Sequence, residues 1–243
     1  MGAALALWGL TGSAQAAENC REITADGGTY IVCEVAQGAD LRLFLNDANG
    51  ATYGTFDRLS RALNASGQRL VLAMNGGMYH ADRSPVGLYI EEGQELAPIV
   101  TSAGPGNFGL LPNGVFCISK DRFRVIESRA FRKSPPACRF ATQSGPMLVI
   151  DGALHPRFLP DASSRYVRNG VGVSKDGKRA YLVISKGAVT FHEFGRLFRD
   201  QLGASNALYL DGSISKLYAP EIRRRDMGRS MGPILALVAP AKN

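Results

Sequence analysis

Two short apolar runs, each broken by an amide or acid followed by glycine, constrain this chain most. Asn206-Ala-Leu-Tyr-Leu210 runs into Asp211-Gly212-Ser213-Ile214-Ser215-Lys216. Arg69-Leu-Val-Leu-Ala-Met74 runs into Asn75-Gly76-Gly77-Met78-Tyr79. Apolar runs of this length, closed by turn residues, read as buried strands, and the glycines supply backbone freedom at the exit. A buried strand that delivers polar side chains at its end is a rigid support for a site. Two of them in one domain can bring both polar tips to one sheet edge. Asn-Gly and Asp-Gly are also ordinary hairpin pairs, so each tip taken alone reads equally as a turn.

Further strands read at Thr29 to Val35, Leu41 to Leu45, Val86 to Ile90, Phe108 to Leu111, Val115 to Ser119 and Phe123 to Ile126. Phe140 to Ile150 reads as one strand entered through Gly145-Pro146, and Gly232 to Ala239 as the last. Asn169 to Ser174 and Ala180 to Ser185 form a hairpin around Lys175-Asp176-Gly177. Phe131 to Pro136, basic and broken by proline, reads as a loop pinned by Cys138. Two helices stand out. Phe56, Leu59 and Leu63 recur at helical spacing behind Thr55, a candidate N-cap. Thr190 with Glu193 is a capping box, opening a helix to Leu202 with an apolar stripe of Phe191, Phe194, Leu197 and Phe198. Strands dominate without βαβ alternation, which argues an α+β fold: a single domain on a large mixed sheet with a few packed helices. The 243 residues show no linker, and the domain is expected from about residue 17 to the end.

Met1 to Ala16 carries no charge, has an apolar centre, and ends in Ala14-Gln15-Ala16, a small-x-small cleavage form. It reads as a secretory signal lacking the usual basic start, so a periplasmic or secreted protein is expected. No stretch approaches the ~18 apolar residues of a transmembrane helix, and no stable membrane insertion is expected. Cys20 with Cys33, and Cys117 with Cys138, lie close enough in sequence to suggest two local disulfides, although four cysteines allow three pairings. Lys and Arg number 28 against 21 Asp and Glu, a net +7 that favours anionic partners. The basic residues are scattered, aromatics are 8%, and no nucleic-acid motif is present, so a nucleic-acid partner is not expected.

Asp211 is the strongest chemical candidate: a carboxylate at a strand end can be base, nucleophile or metal ligand. Asn75 can hold a sugar hydroxyl. Arg168, at a strand start, can clamp a phosphate bidentately, or be a solvated charge. Thr142, Gln143 and Ser144 precede Gly145-Pro146 and can line a pocket. Lys216 can act electrostatically, while Tyr79 and Tyr218 suit a sugar face or the core. Of His80, His155 and His192, His80 is best placed for a cleft, and none has metal-ligand spacing to another. Glu193 is accounted for by the capping box. Ser213 and Ser215 read as possible nucleophiles of a Ser-His-Asp hydrolase, but Gly-x-Ser-x-Gly is absent.

Taken in order, Asn75-Gly-Gly-Met-Tyr79, Gly145-Pro-Met-Leu-Val149, Arg168-Asn-Gly-Val-Gly172, Thr190 to Glu193, and Leu210-Asp211-Gly212 with Ser213 and Ser215 resemble the phosphodiester glycosidase family. The resemblance covers roughly residues 70 to 239. It implies hydrolysis between an anomeric carbon and phosphate in a sugar-1-phosphodiester, hence a small anionic glycoconjugate as partner. It implies Asp211, Asn75 and Arg168 as the catalytic residues. The substrate would be bound by Gly76, Gly77, Tyr79, His80, Thr142, Ser144, Gly145, Gly212, Ser213, Ser215 and Lys216. The family's usual tract is Asp-Gly-Gly-Gly-Ser; here it is Asp211-Gly212-Ser213-Ile214-Ser215, so the family's sugar preference is not carried over. No cofactor is expected; Asp211 with hydroxyls can ligate Ca²⁺, but no spaced carboxylate cluster demands it. The alternative is a non-catalytic binder of glycans or glycolipids on the same fold.

Overall fold

The computed structural model describes residues 19–211 and 213–241. The signal segment expected at 1–16 and the glycine at 212 lie outside the described residues. Along the chain come β1 (Asn19–Ala25), β2 (Gly28–Ala36), β3 (Asp40–Phe44), α1 (Phe56–Ala65), β4 (Gln68–Asn75), β5 (Tyr89–Glu91) and β6 (Gln94–Ala97). Next are β7 (Gly114–Ile118), β8 (Phe123–Glu127), α2 (Ser128–Lys133), β9 (Phe140–Ser144), β10 (Met147–Ile150), β11 (Ala153–Leu154), β12 (Asn169–Val173) and β13 (Arg179–Ser185). The last are α3 (Phe191–Arg196), β14 (Asn206–Asp211), β15 (Leu217–Ala219), β16 (Arg224–Arg225) and β17 (Ile234–Pro240).

The fold is the expected strand-rich α+β domain, and its strands sort into three ladders. Their orders are β1-β2-β13-β12-β14-β10-β11, β16-β15-β4-β17-β3 and β6-β5-β9-β7-β8. The pairings among the described residues are antiparallel. All three sheets turn an apolar face into one core, to which β2 gives Ile31, β4 Met74, β7 Phe116, β12 Val171 and β14 Leu208 and Leu210. Each sheet then carries a helix on its other face. α3 covers the seven-stranded sheet, α1 the second and α2 the third, through Phe194, Leu59 and Phe131 respectively. The alternate positions of a strand thus serve two cores, which is why these strands read as continuous apolar runs.

The helices start where the caps place them. The Thr55 side chain accepts from Arg58 N at α1, and Thr190 and Glu193 make a reciprocal capping box at α3. The stripe expected to Leu202 is α-helical only to Arg196; Leu197–Gln201 widens into a π-turn. α3 and the π-turn lie close on their sheet because β12 offers glycines: a Cβ at Gly170 would stand 3.2 Å from the Phe194 ring of α3, and one at Gly172 2.5 Å from the Phe198 ring of the π-turn. Both disulfides pair as expected, Cys20 with Cys33 across the β1–β2 ladder and Cys117 with Cys138 beneath α2.

Several local expectations are corrected. Phe108 to Leu111 is not a strand but a turn, with Leu110 N donating to Asn107 O. The basic stretch from Phe131 is helical through Lys133, because the Glu127 side chain accepts from Ala130 N and starts α2. Phe140 to Ile150 is two strands, with β9 and β10 in different sheets and Gly145-Pro146 as the crossing point. β1 was not anticipated; its mixed polar sequence suits an edge strand, half of which faces water.

Candidate active site

The ends of β4 and β14 meet, but from different sheets, and a residue of β12 joins them. Asn75 Nδ2 donates to Asn169 Oδ1 at 3.1 Å, and Asn169 Nδ2 donates back to Asn75 Oδ1 at 2.9 Å. Each oxygen takes a second donor: Lys216 N reaches Asn75 Oδ1 at 3.0 Å, and Asp211 N reaches Asn169 Oδ1 at 3.0 Å. Both amides are fully buried. They therefore pin β4, β12, the end of β14 and the start of β15 at one point. Buried amides in the gap between two sheets are stable only when paired in this way.

The β12–β14 ladder is irregular at the same place. Asn169 faces Asp211 while Gly170 faces Tyr209, so Leu210 is an extra residue. Such a bulge re-aims the side chain that follows it. Asp211 keeps 7% of its surface accessible, and its Oδ1 accepts from Ser213 N at 2.9 Å. Ser215 Oγ stands 2.9 Å from Asp211 O and 3.0 Å from Val167 O. Beyond Asp211 opens a cavity of about 500 Å³ lined by Val167, Ser213, Ile214, Ser215, Lys216, Asp226, Met227 and Arg229. Lys216 Nζ donates to Arg229 O. Burial pulls the Lys216 pKa below the usual lysine value, and the Asp226 charge opposes that pull.

The other predicted residues stand around this point in different capacities. Gly76 N donates to Pro233 O, and Gly76 O accepts from Thr142 Oγ1 at 2.7 Å. Gly77 has φ +138°, and a Cβ there would fall 2.6 Å from Thr142 Oγ1. Ser144 Oγ donates to Leu210 O at 2.9 Å, holding β9 to the bulge. A Cβ on Gly145 would meet Asn113 Cβ at 2.6 Å. Tyr79 is half-buried, with its hydroxyl 3.4 Å from Ser230 O. Burial, and next the charge of Asp211, raise the Tyr79 pKa. His80 and Ser213 are exposed. Tyr218 is buried against Phe56 of α1, and Gln143 is a buried hub of the third sheet, accepting from Leu88 N and Val100 N.

Arg168 is not a solvated charge. It is 1% exposed, donates from Nε to Val189 O at 2.8 Å and from Nη2 to Ser164 O at 3.1 Å. Its guanidinium carbon lies 3.6 Å from the Phe191 ring centroid. Phe191 stacks on Phe158, and Phe158 on His155, so the arginine ends an aromatic column. Arg168 Nη1 and the Tyr209 hydroxyl lie together out of solvent without a hydrogen bond of good geometry. Burial lowers the Arg168 pKa and lifts that of Tyr209 to about 12. A direct phosphate clamp by Arg168 does not fit this burial.

Asn169, Asp226 and Arg229 belong to the site and were not singled out from sequence. Asn169 stood inside the Arg168-Asn169-Gly170 motif, where a polar residue opening an apolar strand was the available signal. Asp226 accepts from Leu217 N at 2.9 Å and pairs with Arg224 at 2.8 Å, a role hidden in a charged loop. No group of three or more His, Cys, Asp or Glu among the described residues is arranged to hold a metal ion.

A family model described as phosphodiester glycosidase matches residues 68–231. An Escherichia coli K12 protein, "Uncharacterized protein YigE", is 39% identical over 178 residues, covering 73% of this chain and 69% of that one. Among solved structures, the zebrafish N-acetylglucosamine-1-phosphodiester alpha-N-acetylglucosaminidase catalytic domain, auto-inhibited by its pro-peptide, superposes with TM-score 0.60. That match has 14% identity and covers 93% of this chain and 82% of the other. A putative exported protein of Burkholderia pseudomallei superposes with TM-score 0.56 at 13% identity, covering 86% of this chain and 74% of that one. At such identities the two structures speak for the fold.

Proposed function

The chain belongs to the phosphodiester glycosidase family, and on that footing we propose that it hydrolyses the bond between an anomeric sugar carbon and phosphate in a sugar-1-phosphodiester. The observation that carries this reading is the bulged end of β14. It holds Asp211 against the Asn75–Asn169 pair, and the residues after it line a cavity with Lys216 and Arg229.

The chemistry asks little of an acid. A phosphate is a weaker base than a sugar alkoxide, so it leaves with less protonation than an ordinary glycoside requires. Asp211 either steadies the oxocarbenium-like transition state or takes a proton from the attacking water. The water oxygen ends on the anomeric carbon, and the phosphate leaves as a monoester. We assign the phosphate to Lys216 and Arg229, the cations of the cavity. Arg168 and Asn75 then act as positioning residues. Arg168 fixes the entry to β12 by holding the Ser164 and Val189 carbonyls, and Asn75 fixes Lys216 through its backbone N–H. The two disulfides suit an oxidising compartment, which supports a periplasmic or secreted location.

The test is turnover of a panel of sugar-1-phosphodiesters, followed as free reducing sugar and phosphomonoester. Asp211→Asn should lower kcat by about 10²-fold or more while melting like the parent. Full turnover by a folded Asp211→Asn protein would refute the role. Saturable binding of the panel by the parent without product would make it a binding protein instead.

A further inference from the structure

Apart from Arg229, the basic, partly apolar segment beside the cavity has no role in the reading above. β15 and β16 form a hairpin whose tip is a 3₁₀ turn, Pro220–Ile222, and the chain returns past the cavity through Met227 and Arg229. Met227 is 82% exposed and Ile222 38%. Arg223, Arg225 and Arg229 of the same segment are exposed as well. From 220 to 229 the sequence has four Arg against Glu221 and Asp226, a net +2. Asp226 turns inward to Leu217 N and pairs with Arg224, so the net charge is carried by Arg223, Arg225 and Arg229 against Glu221. Arg21 and Lys186 stand beside Ile222 around a second hollow of about 320 Å³, each paired with a carboxylate, Glu34 and Glu22 respectively.

We propose that this hairpin docks the protein on an anionic lipid bilayer. The complementarity is of both kinds a bilayer surface offers. Exposed Met and Ile reach the acyl boundary, and arginines surround them at headgroup level, with stems that are themselves apolar. Because Met227 and Arg229 also line the 500 Å³ cavity, docking turns that opening toward the lipid. One consequence rests on the proposed function: the preferred phosphodiesters are those whose alcohol is held in a membrane.

The test separates docking from catalysis. The full protein is sedimented with mixed phosphatidylcholine–phosphatidylglycerol vesicles and with pure phosphatidylcholine vesicles. Binding should require the anionic lipid and weaken with salt. Arg223→Ala with Arg225→Ala should reduce the partition coefficient by about thirtyfold, two charges' worth at a membrane surface. The Lys pair at the same positions should restore it. Ile222→Ser, with every arginine intact, should weaken binding as well. Lys120→Ala with Arg122→Ala, in the β7–β8 turn, should not. Equal binding to both vesicles, an unaffected Arg223/Arg225 variant, or an equal loss in the β7–β8 control would overturn the proposal. Turnover of a soluble phosphodiester by the Arg223/Arg225 variant should match the parent. A protein that binds vesicles but turns over nothing would sink the catalytic reading and leave the docking surface standing.

Discussion

Replacing Asn169 by alanine tests the junction of the two sheets directly. The side chain takes part in five hydrogen bonds: from Asn75 Nδ2, from Asp211 N, from Ser215 Oγ at 3.5 Å, and to Asn75 Oδ1 and Asn75 O. Removing it leaves the Asn75 amide and the Asp211 N–H buried without their acceptor. A buried group so stranded costs about 1–3 kcal/mol. Water entering the vacated space recovers part of this, so the expected loss is about 3 kcal/mol. In a domain of this size that lowers Tm by about 6–12 °C. Urea unfolding should show a lower midpoint with an unchanged slope. Asn75→Ala strands Lys216 N and the Asn169 amide in the same way. The two variants share bonds, so the double variant should lose about 1–3 kcal/mol less than the sum. If the losses add to within about 0.5 kcal/mol, or if Asn169→Ala costs under about 1 kcal/mol, the amide pair is not the junction described.

Gly77→Ala puts a methyl at φ +138° and within 2.6 Å of Thr142 Oγ1, so a loss of about 2–3 kcal/mol is expected by thermal melting, partly relieved by Thr142→Ala. His155 is buried, and burial lowers its pKa below the usual 6.5. Between the folded and unfolded values the unfolded chain binds the proton and the folded one does not, so stability should fall as pH drops below about 6.5. His155→Phe, which keeps the stack on Phe158, should remove that part of the slope between pH 7 and 5, and an unchanged slope would exclude the histidine. Burial also lowers the Lys216 pKa, so its charge is lost at a pH below the ordinary lysine range. Binding of a phosphomonoester should therefore weaken on the alkaline side earlier than for an exposed lysine, a difference that Lys216→Arg should abolish.

Much of the fold was legible because it rests on local chemistry. Thr55 and the Thr190–Glu193 box mark helix starts through bonds to backbone three residues on, and the disulfides close short loops. The strand tips at Asn75 and Asp211 carried the right residue types for a junction. What the sequence hid is non-local. The Asn75–Asn169 pair spans 94 positions, and nothing near either asparagine says that the other will satisfy it. The partition of β9 and β10 between sheets follows from packing that a single apolar run does not express. Arg168 was misplaced for a related reason. A charged residue at a strand start is ordinarily solvated, and only the tertiary column of Phe191, Phe158 and His155 makes a buried position tolerable.

This burial divides the polar residues by what they can do. Asn75, Thr142, Ser144, Arg168 and Asn169 are out of solvent, and the donors described for them go chiefly to carbonyl and amide oxygens of the protein. Their energy is spent where three sheets diverge, holding the end of β14 in a bulge that unaided strand pairing would not favour. Asp211, Ser213, Ser215, Lys216 and Arg229 stand on the other side of that bulge, at or near the cavity. A site built this way separates two kinds of failure. Loss of a buried member should show first as lower stability, and as lower activity only through misplaced strand ends. Loss of an exposed cavity member, Ser213 or Arg229, should leave the melt unchanged and act on KM or kcat. Asn75 is the discriminating case. It carries the most suggestive motif in the sequence, yet its amide is committed to Asn169 and to Lys216 N–H, so Asn75→Ala belongs with the first kind.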